Sequence, residues 1–216
     1  MTLPFTVGQF YDVFRAYNDA VWPAQAGLLA LAVAAASLVM VPRPWSGRAV
    51  SGILALLWAW MAIGYHLAFF TTINPLAYGF AAVFLAGALV FVWQGVVGNR
   101  LRYRLCGSAM PLTGSLLILF ALVLYPLWLW GDGHRYPATP TFGLPCPTTI
   151  FTVGILCFLT RPYPRAVFVV PLLWSLFGAQ AAFMLNVPPD LGLFAAAAVA
   201  ALMMARSRPR PDSQPA

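Results

Sequence analysis

The chain contains no lysine and no glutamate: its twelve basic residues are all arginine and its five acidic residues all aspartate. Charged residues make up only 8% of it and hydrophobic residues 62%, against roughly 25% and 45–50% in soluble domains. So little charge cannot cover a surface facing water. A soluble globular domain is excluded, and lipid is the expected solvent. Histidine (two residues) and cysteine (three) are scarce as well. General acid–base catalysis needs a positioned base with a tuned pKa, and few side chains here could supply one. Cys146 and Cys157 are eleven residues apart, about 16 Å along a helix, so Cys146 has no expected disulfide partner; Cys106 is expected at the opposite, cytoplasmic end. The lack of lysine and glutamate is also a compositional mark of a GC-rich bacterial genome, and the bacterial plasma (inner) membrane is the expected location. A net charge of +7 would suit nucleic acid, but the arginines sit at the ends of apolar runs. Orientation in a bilayer and contact with anionic headgroups account for that placement better. No nucleic-acid partner is expected.

Ten of the twelve arginines form four clusters: Arg43/Arg48, Arg100/Arg102/Arg104, Arg161/Arg165 and Arg206/Arg208/Arg210. A hydrocarbon core needs about 20 apolar residues per helix, and the clusters alternate with such runs. The predicted spans are about 23–41, 49–70, 75–97, 111–130, 145–160, 165–185 and 189–205. The fifth is interrupted by Pro145 and Pro147 and the seventh is short, so charge decides whether they cross. With seven crossings, ten arginines share the cytoplasmic side, leaving Arg15 and Arg135 outside with Asp12, Asp19, Asp132 and Asp190. The expected fold is thus all-α, a polytopic membrane bundle of seven transmembrane helices, N-terminus out and C-terminus in. Residues 1–205 would form one transmembrane domain and residues 206–216, polar and proline-rich, a disordered cytoplasmic tail. The first twenty residues carry Asp12, Arg15 and Asp19, and no cleavable signal is expected there.

Ahead of the first span, Thr6-Val7-Gly8-Gln9 fits a capping box. Phe10, Val13, Phe14 and Tyr17 follow at helical spacing, with Asp12, Arg15 and Asp19 on another face. This pattern predicts an amphipathic helix over residues 6–19 lying in the outer interface.

The chain also resembles itself. Arg43-Pro44-Trp45…Arg48-Ala49-Val50 is echoed by Arg161-Pro162-Tyr163…Arg165-Ala166-Val167. Leu56-Leu57-Trp58 is echoed by Leu172-Leu173-Trp174, and Gly64-Tyr65-His66-Leu67-Ala68-Phe69 by Gly178-Ala179-Gln180-Ala181-Ala182-Phe183. Helices one to three would then correspond to helices five to seven, with helix four between them. Separated by one helix, the halves run in the same direction: a 3+1+3 parallel repeat, the arrangement of small facilitators of the SWEET type.

Polar side chains concentrate towards the outer third. Gln25, Tyr65, His66, Asn74, Thr149 and Gln180 come from the spans, and Asp132, His134, Arg135 and Cys146 from the long outer loop and the helix after it. Polar groups within a bilayer tend to face the bundle interior or a wet cavity, so these ten are the candidate lining of an outward-facing ligand pocket, with the 131–147 loop as its lid. His66, the one histidine inside a span, could bind a ligand or metal or carry a proton; it could equally serve as interhelical glue. Cys146, between two prolines, is a candidate N-cap whose thiol would feel the positive helix end. Arg135 could neutralise Asp132 or Asp19, or meet an anionic ligand. No two of these residues have the spacing of a familiar zinc motif, and neither metal nor cofactor can be assigned.

Three stretches carry a family resemblance: Phe10-Tyr11-Asp12-Val13-Phe14…Trp22-Pro23-Ala24-Gln25, Tyr65-His66-Leu67-Ala68-Phe69-Phe70…Asn74-Pro75, and Gly133-His134-Arg135-Tyr136-Pro137…Leu144-Pro145-Cys146-Pro147. On these the chain resembles an uncharacterised bacterial family of polytopic membrane proteins, the domain-of-unknown-function family DUF6064. That resemblance implies a membrane fold and carries no activity or site residues. Similarity to SWEET and PQ-loop carriers is architectural only, since Pro23-Ala24-Gln25 lacks the adjacent Pro-Gln pair. Microbial rhodopsins share the helix count, but retinal needs a Schiff-base lysine, and none is present. Three function classes stay open: a small-solute carrier or permease, which the repeat and pocket favour; a membrane-embedded enzyme or metalloprotein acting at the extracytoplasmic face; and a ligand-sensing or accessory subunit.

Overall fold

The structure, a computed structural model, describes residues 4–105 and 109–207. Cys106 and residues 208–216, most of the predicted tail, lie outside that range. Among the described residues the chain is helical, with two isolated β-bridges and no strands.

The first helix, α1 (Val7–Val21), begins with both bonds of the predicted capping box. Thr6 N–H donates to Gln9 Oε1 at 2.8 Å and Gln9 N–H to Thr6 Oγ1 at 3.2 Å. Its apolar stripe of Phe10, Val13, Phe14 and Tyr17 is buried. The next residue but one is Pro23, which disfavours the helical conformation at Trp22; Trp22 is extended, α1 ends, and α2 (Ala24–Met40) leaves at 88° to it. The apolar stripe of α1 therefore packs onto the end of the bundle.

Five helical stretches are long and apolar enough to cross a membrane: Ser46–Thr72, Ala77–Val97, Ala109–Gly131, Ala166–Met184 and Pro188–Ala205. They contain α3 (Ser46–Trp60), α4 (Ala77–Phe91), α5 (Ala109–Leu119), α6 (Tyr125–Gly131), α8 (Ala166–Gly178), α9 (Ala181–Met184) and α10 (Gly192–Ala205). A sixth is reached if α1 and α2 together count as one bent span. The expected seven are not reached by length. The shortfall is α7 (Pro145–Leu156), whose 12 residues extend only about 18 Å against a hydrocarbon core of about 30 Å.

The surroundings of α7 explain how so short a helix is accommodated. It is apolar on all sides and buried along nearly its whole length, as a helix enclosed by other helices must be. It packs against α2, α5, α8 and α10, and glycine permits the closest approach. A Cβ on Gly114 of α5 would lie 2.5 Å from the Gly154 carbonyl oxygen of α7, and one on Gly154 would lie 2.9 Å from the Gly114 carbonyl.

The arginine-bearing connections touch one another at one end of the bundle. Tyr103 pairs with Leu159 in a β-bridge, and Arg104 N–H donates to the Phe158 carbonyl at 2.8 Å. Arg165 Nε donates to Ser207 Oγ at 2.8 Å, anchoring the start of the C-terminal segment. The remaining connections meet α1 at the other end. Asn18 of α1, fully buried, donates to the Pro137 and Thr139 carbonyls at 2.5 and 2.8 Å.

Candidate binding site

Three of the membrane-length stretches contain a π-helical turn: Met61–Leu67, Val92–Val97 and Phe120–Leu124. Such turns are rare and occur frequently at functional sites. The first brings Tyr65 and His66 inward together. His66 is fully buried within an aromatic enclosure of Tyr65, Phe70, Phe80, Phe84 and Trp174, with ring centroids 4.8–5.9 Å away. Neither of its ring nitrogens has a hydrogen-bond partner, and nor does Trp174 Nε1. A buried polar atom left unpaired costs about 1–3 kcal/mol, so these atoms mark the site.

They border a cavity of about 170 Å³. α3 supplies its wall through the π turn, α4 through Phe80, α6 through Tyr125, α7 through Cys146 and the end of α8 through Trp174, Phe177 and Gly178. Phe5, Phe10 and Phe14 of the N-terminal segment cover it, with Pro140 and Leu144 of the 131–147 loop. Below His66 the bundle is closed. Phe84 lies against His66, Trp58 stacks on Phe84 at 4.9 Å, and Phe91 follows at 6.2 Å. Trp58 Nε1 is held by Thr152 Oγ1 at 3.1 Å. The mouth lies among Leu76, Phe177 and Met184, which are 63%, 50% and 40% exposed. Its rim is apolar.

Of the ten candidate residues, His66, Tyr65, Asn74, Gln180 and Cys146 line this cavity. The other five do not. Gln25 is spent on structure, its Nε2 donating to Asn18 Oδ1 at 2.5 Å and to Thr141 Oγ1 at 3.1 Å. Thr149 is buried in α7 with its hydroxyl unpaired. His134 stacks flat on Tyr11, centroids 4.8 Å apart, and helps form a separate shallow surface recess. Arg135 neither pairs with an aspartate nor faces the cavity. Its guanidinium lies 4.7 Å over the Trp130 ring and donates to the Trp130 carbonyl, because a cation near an aromatic face gains without being desolvated. Asp132 caps the C-terminal end of α6 and is exposed. Tyr11, behind the recess, donates to the Asn186 carbonyl at 2.8 Å, and burial pushes its hydroxyl up to about 12.

Cys146 is not the helix cap. α7 starts at Pro145, with Leu144 as its cap. The thiol lies beside the Asp190 carboxylate, the reverse of the electropositive setting that makes a thiol reactive. Both described cysteines, Cys146 and Cys157, are free. Among the described residues no three His, Cys or Asp side chains are placed to share a metal ion.

Asp190, expected on the outer side with Asp12, Asp19 and Asp132, was not among the expected lining residues. It is instead 2% exposed on the cavity wall, just ahead of α10, and accepts a 2.6 Å hydrogen bond from Tyr125 Oη. The signal in the sequence was available: an aspartate opening an apolar run, Pro188-Pro189-Asp190-Leu191-Gly192, with no basic residue nearby.

A family model matches residues 7–214. The chain belongs to DUF6064, a family of unknown function. No curated protein matches it, and no solved structure does. The match covers α1, every helix around the cavity and all of the lining except Pro4 and Phe5.

Proposed function

We propose that this DUF6064 chain is a small-solute carrier or permease of the bacterial plasma membrane, with the cavity as its solute site in an outward-facing state. The observation that carries the reading is a blind cavity: walled by His66, Trp174 and Asp190, closed beneath by Phe84 and Trp58, and open at the opposite end. The arginine-bearing end is taken as cytoplasmic, following the bias of basic residues in membrane proteins, so the mouth faces the outer leaflet. In this reading α7 is the buried crossing that completes seven passes, and α1 lies across the outer interface.

The paired halves support alternating access. The helix of α3 changes at the π turn that holds His66, and the helix of α8 breaks at Ala179 and Gln180 before α9. These are the positions aligned by the internal repeat, and His66 and Gln180 both line the cavity. Two halves rocking about a shared site would close the mouth and separate the floor.

The test is exchange across a membrane. Proteoliposomes containing the full chain and preloaded with one member of a panel of small aromatic and aliphatic solutes should take up the labelled form faster than empty liposomes. Ala181→Phe, which fills the cavity from α9, should abolish that uptake while the protein elutes as a monodisperse peak. Solute binding that Ala181→Phe removes, without accelerated exchange, would end the carrier assignment and leave a binding site.

A further inference from the structure

We propose that the cavity selects a protonated amine carried on a compact apolar body. The inference rests on the cavity being a solute site and names the class of solute.

Asp190 is buried on the cavity wall without a positive partner. Its neighbours there are the Tyr125 hydroxyl, 2.6 Å away, and the Cys146 thiol. Both are neutral. Among the described residues the only ion pair joins Arg15 and Asp12, at the surface. A buried carboxylate is tolerated when a cation pairs with it and its remaining lone pairs are satisfied. The chain has no lysine to supply that charge, and no arginine among the described residues lines the cavity. An ionised Asp190 therefore needs a cation that the ligand brings, and without one the carboxyl keeps its proton.

The rest of the cavity agrees with a cation. Tyr65, Phe70, Phe80 and Trp174 present aromatic rings to the same space, and ring faces attract ammonium groups by about 2 kcal/mol or more once water is excluded. His66, fully buried on that wall with neither ring nitrogen partnered, can accept an N–H through its unprotonated nitrogen. An anion would meet a carboxylate in a medium of low dielectric, and a neutral molecule would leave that carboxylate unpaired. The rim, apolar at Leu76, Phe177 and Met184 with Gln180 among them, admits a ligand whose remaining surface is mostly hydrocarbon. Carboxylate, aromatic faces and a free imidazole acceptor together describe a receptor for an amine.

The experiment measures binding to the purified full chain in nanodiscs by calorimetry, with three probes of one shape: phenethylamine, phenethyl alcohol and hydrocinnamate. The amine should bind most tightly and hydrocinnamate should not bind. Asp190→Asn, which keeps the size and an acceptor for Tyr125, should weaken the amine by about 30-fold, the lower end for losing one partner of a buried charge pair, and change the alcohol less than about twofold. The wild-type ranking keeps the proposal testable should that variant fail to fold. Equal binding of amine and alcohol, or preference for hydrocinnamate, would overturn the amine assignment and leave the solute site standing. No binding of any probe, or binding that Ala181→Phe leaves unchanged, would remove both.

Discussion

Gln25 Nε2 donates to Asn18 Oδ1 at 2.5 Å across the right-angled bend between α1 and α2. Asn18 is the hub of this corner. Its amide nitrogen holds the Pro137 and Thr139 carbonyls, its oxygen accepts from Thr141 Oγ1 at 2.8 Å, and its own carbonyl accepts from Tyr136 Oη at 3.1 Å. One side chain thus ties the covering helix to the covering loop.

Replacing Asn18 with alanine should release that loop. The Thr139 carbonyl loses its donor and the Thr141 hydroxyl its acceptor, while the Pro137 carbonyl and the Gln25 amide each lose one of two partners, at a total cost on the order of 2–3 kcal/mol. Hydrogen–deuterium exchange of peptides covering 131–147 should accelerate while those from α5 and α10 do not change. Uniform acceleration across the chain would mean that Asn18 supports the whole fold and not this cover.

The contact between Gly114 and Gly154 should tolerate no side chain. Gly114→Ala would drive a methyl group into the Gly154 carbonyl and to within 2.8 Å of Cys157 Cβ. Overpacking of this kind costs about 1–3 kcal/mol, and close helix approach in membranes depends on small residues. The expected result is a lower midpoint for thermal loss of the monodisperse peak in detergent. Gly79→Ala, with nothing within 4 Å of the added methyl, should leave that midpoint unchanged.

The Tyr11 hydroxyl gives an alkaline signature. Burial, then the charges of Asp190 and Asp132, raise it from 10.0 to about 12 in the folded chain. A raised acid holds its proton better when folded, so its contribution to stability is full below pH 10 and is lost as pH rises through about 12. Spectrophotometric titration of Tyr11→Phe against wild type should show one phenolate fewer forming near that upper value. A difference near pH 10 would place the ring in water.

The Thr6–Gln9 box and the Phe10/Val13/Phe14/Tyr17 stripe were legible because helix caps and helical periodicity are local. The same holds for five of the apolar stretches, whose length and composition alone meet the requirement of a bilayer. The helix over Pro145–Leu156 was harder to read, because a short apolar run looks alike whether it crosses lipid or lies inside protein. Five of the ten candidate side chains met in one cavity; of the other five, Gln25 is held by Asn18 and Thr141, His134 stacks on Tyr11, Arg135 lies on Trp130, Thr149 is buried in α7 and Asp132 is exposed. Depth along a span can be counted from sequence. Direction around a helix cannot, once a π turn shifts the register.

By itself, then, the amino-acid order determined the membrane-length apolar helices of this protein, its helical class and its family, since these follow from composition and local spacing. The tertiary structure decided which polar groups share a space. It placed Asp190, absent from the expected lining, on the cavity wall against Tyr125, and it surrounded His66 with rings that make no hydrogen bond to it. Both outcomes arise from packing between segments distant in the chain, where burial fixes the meaning of a charge.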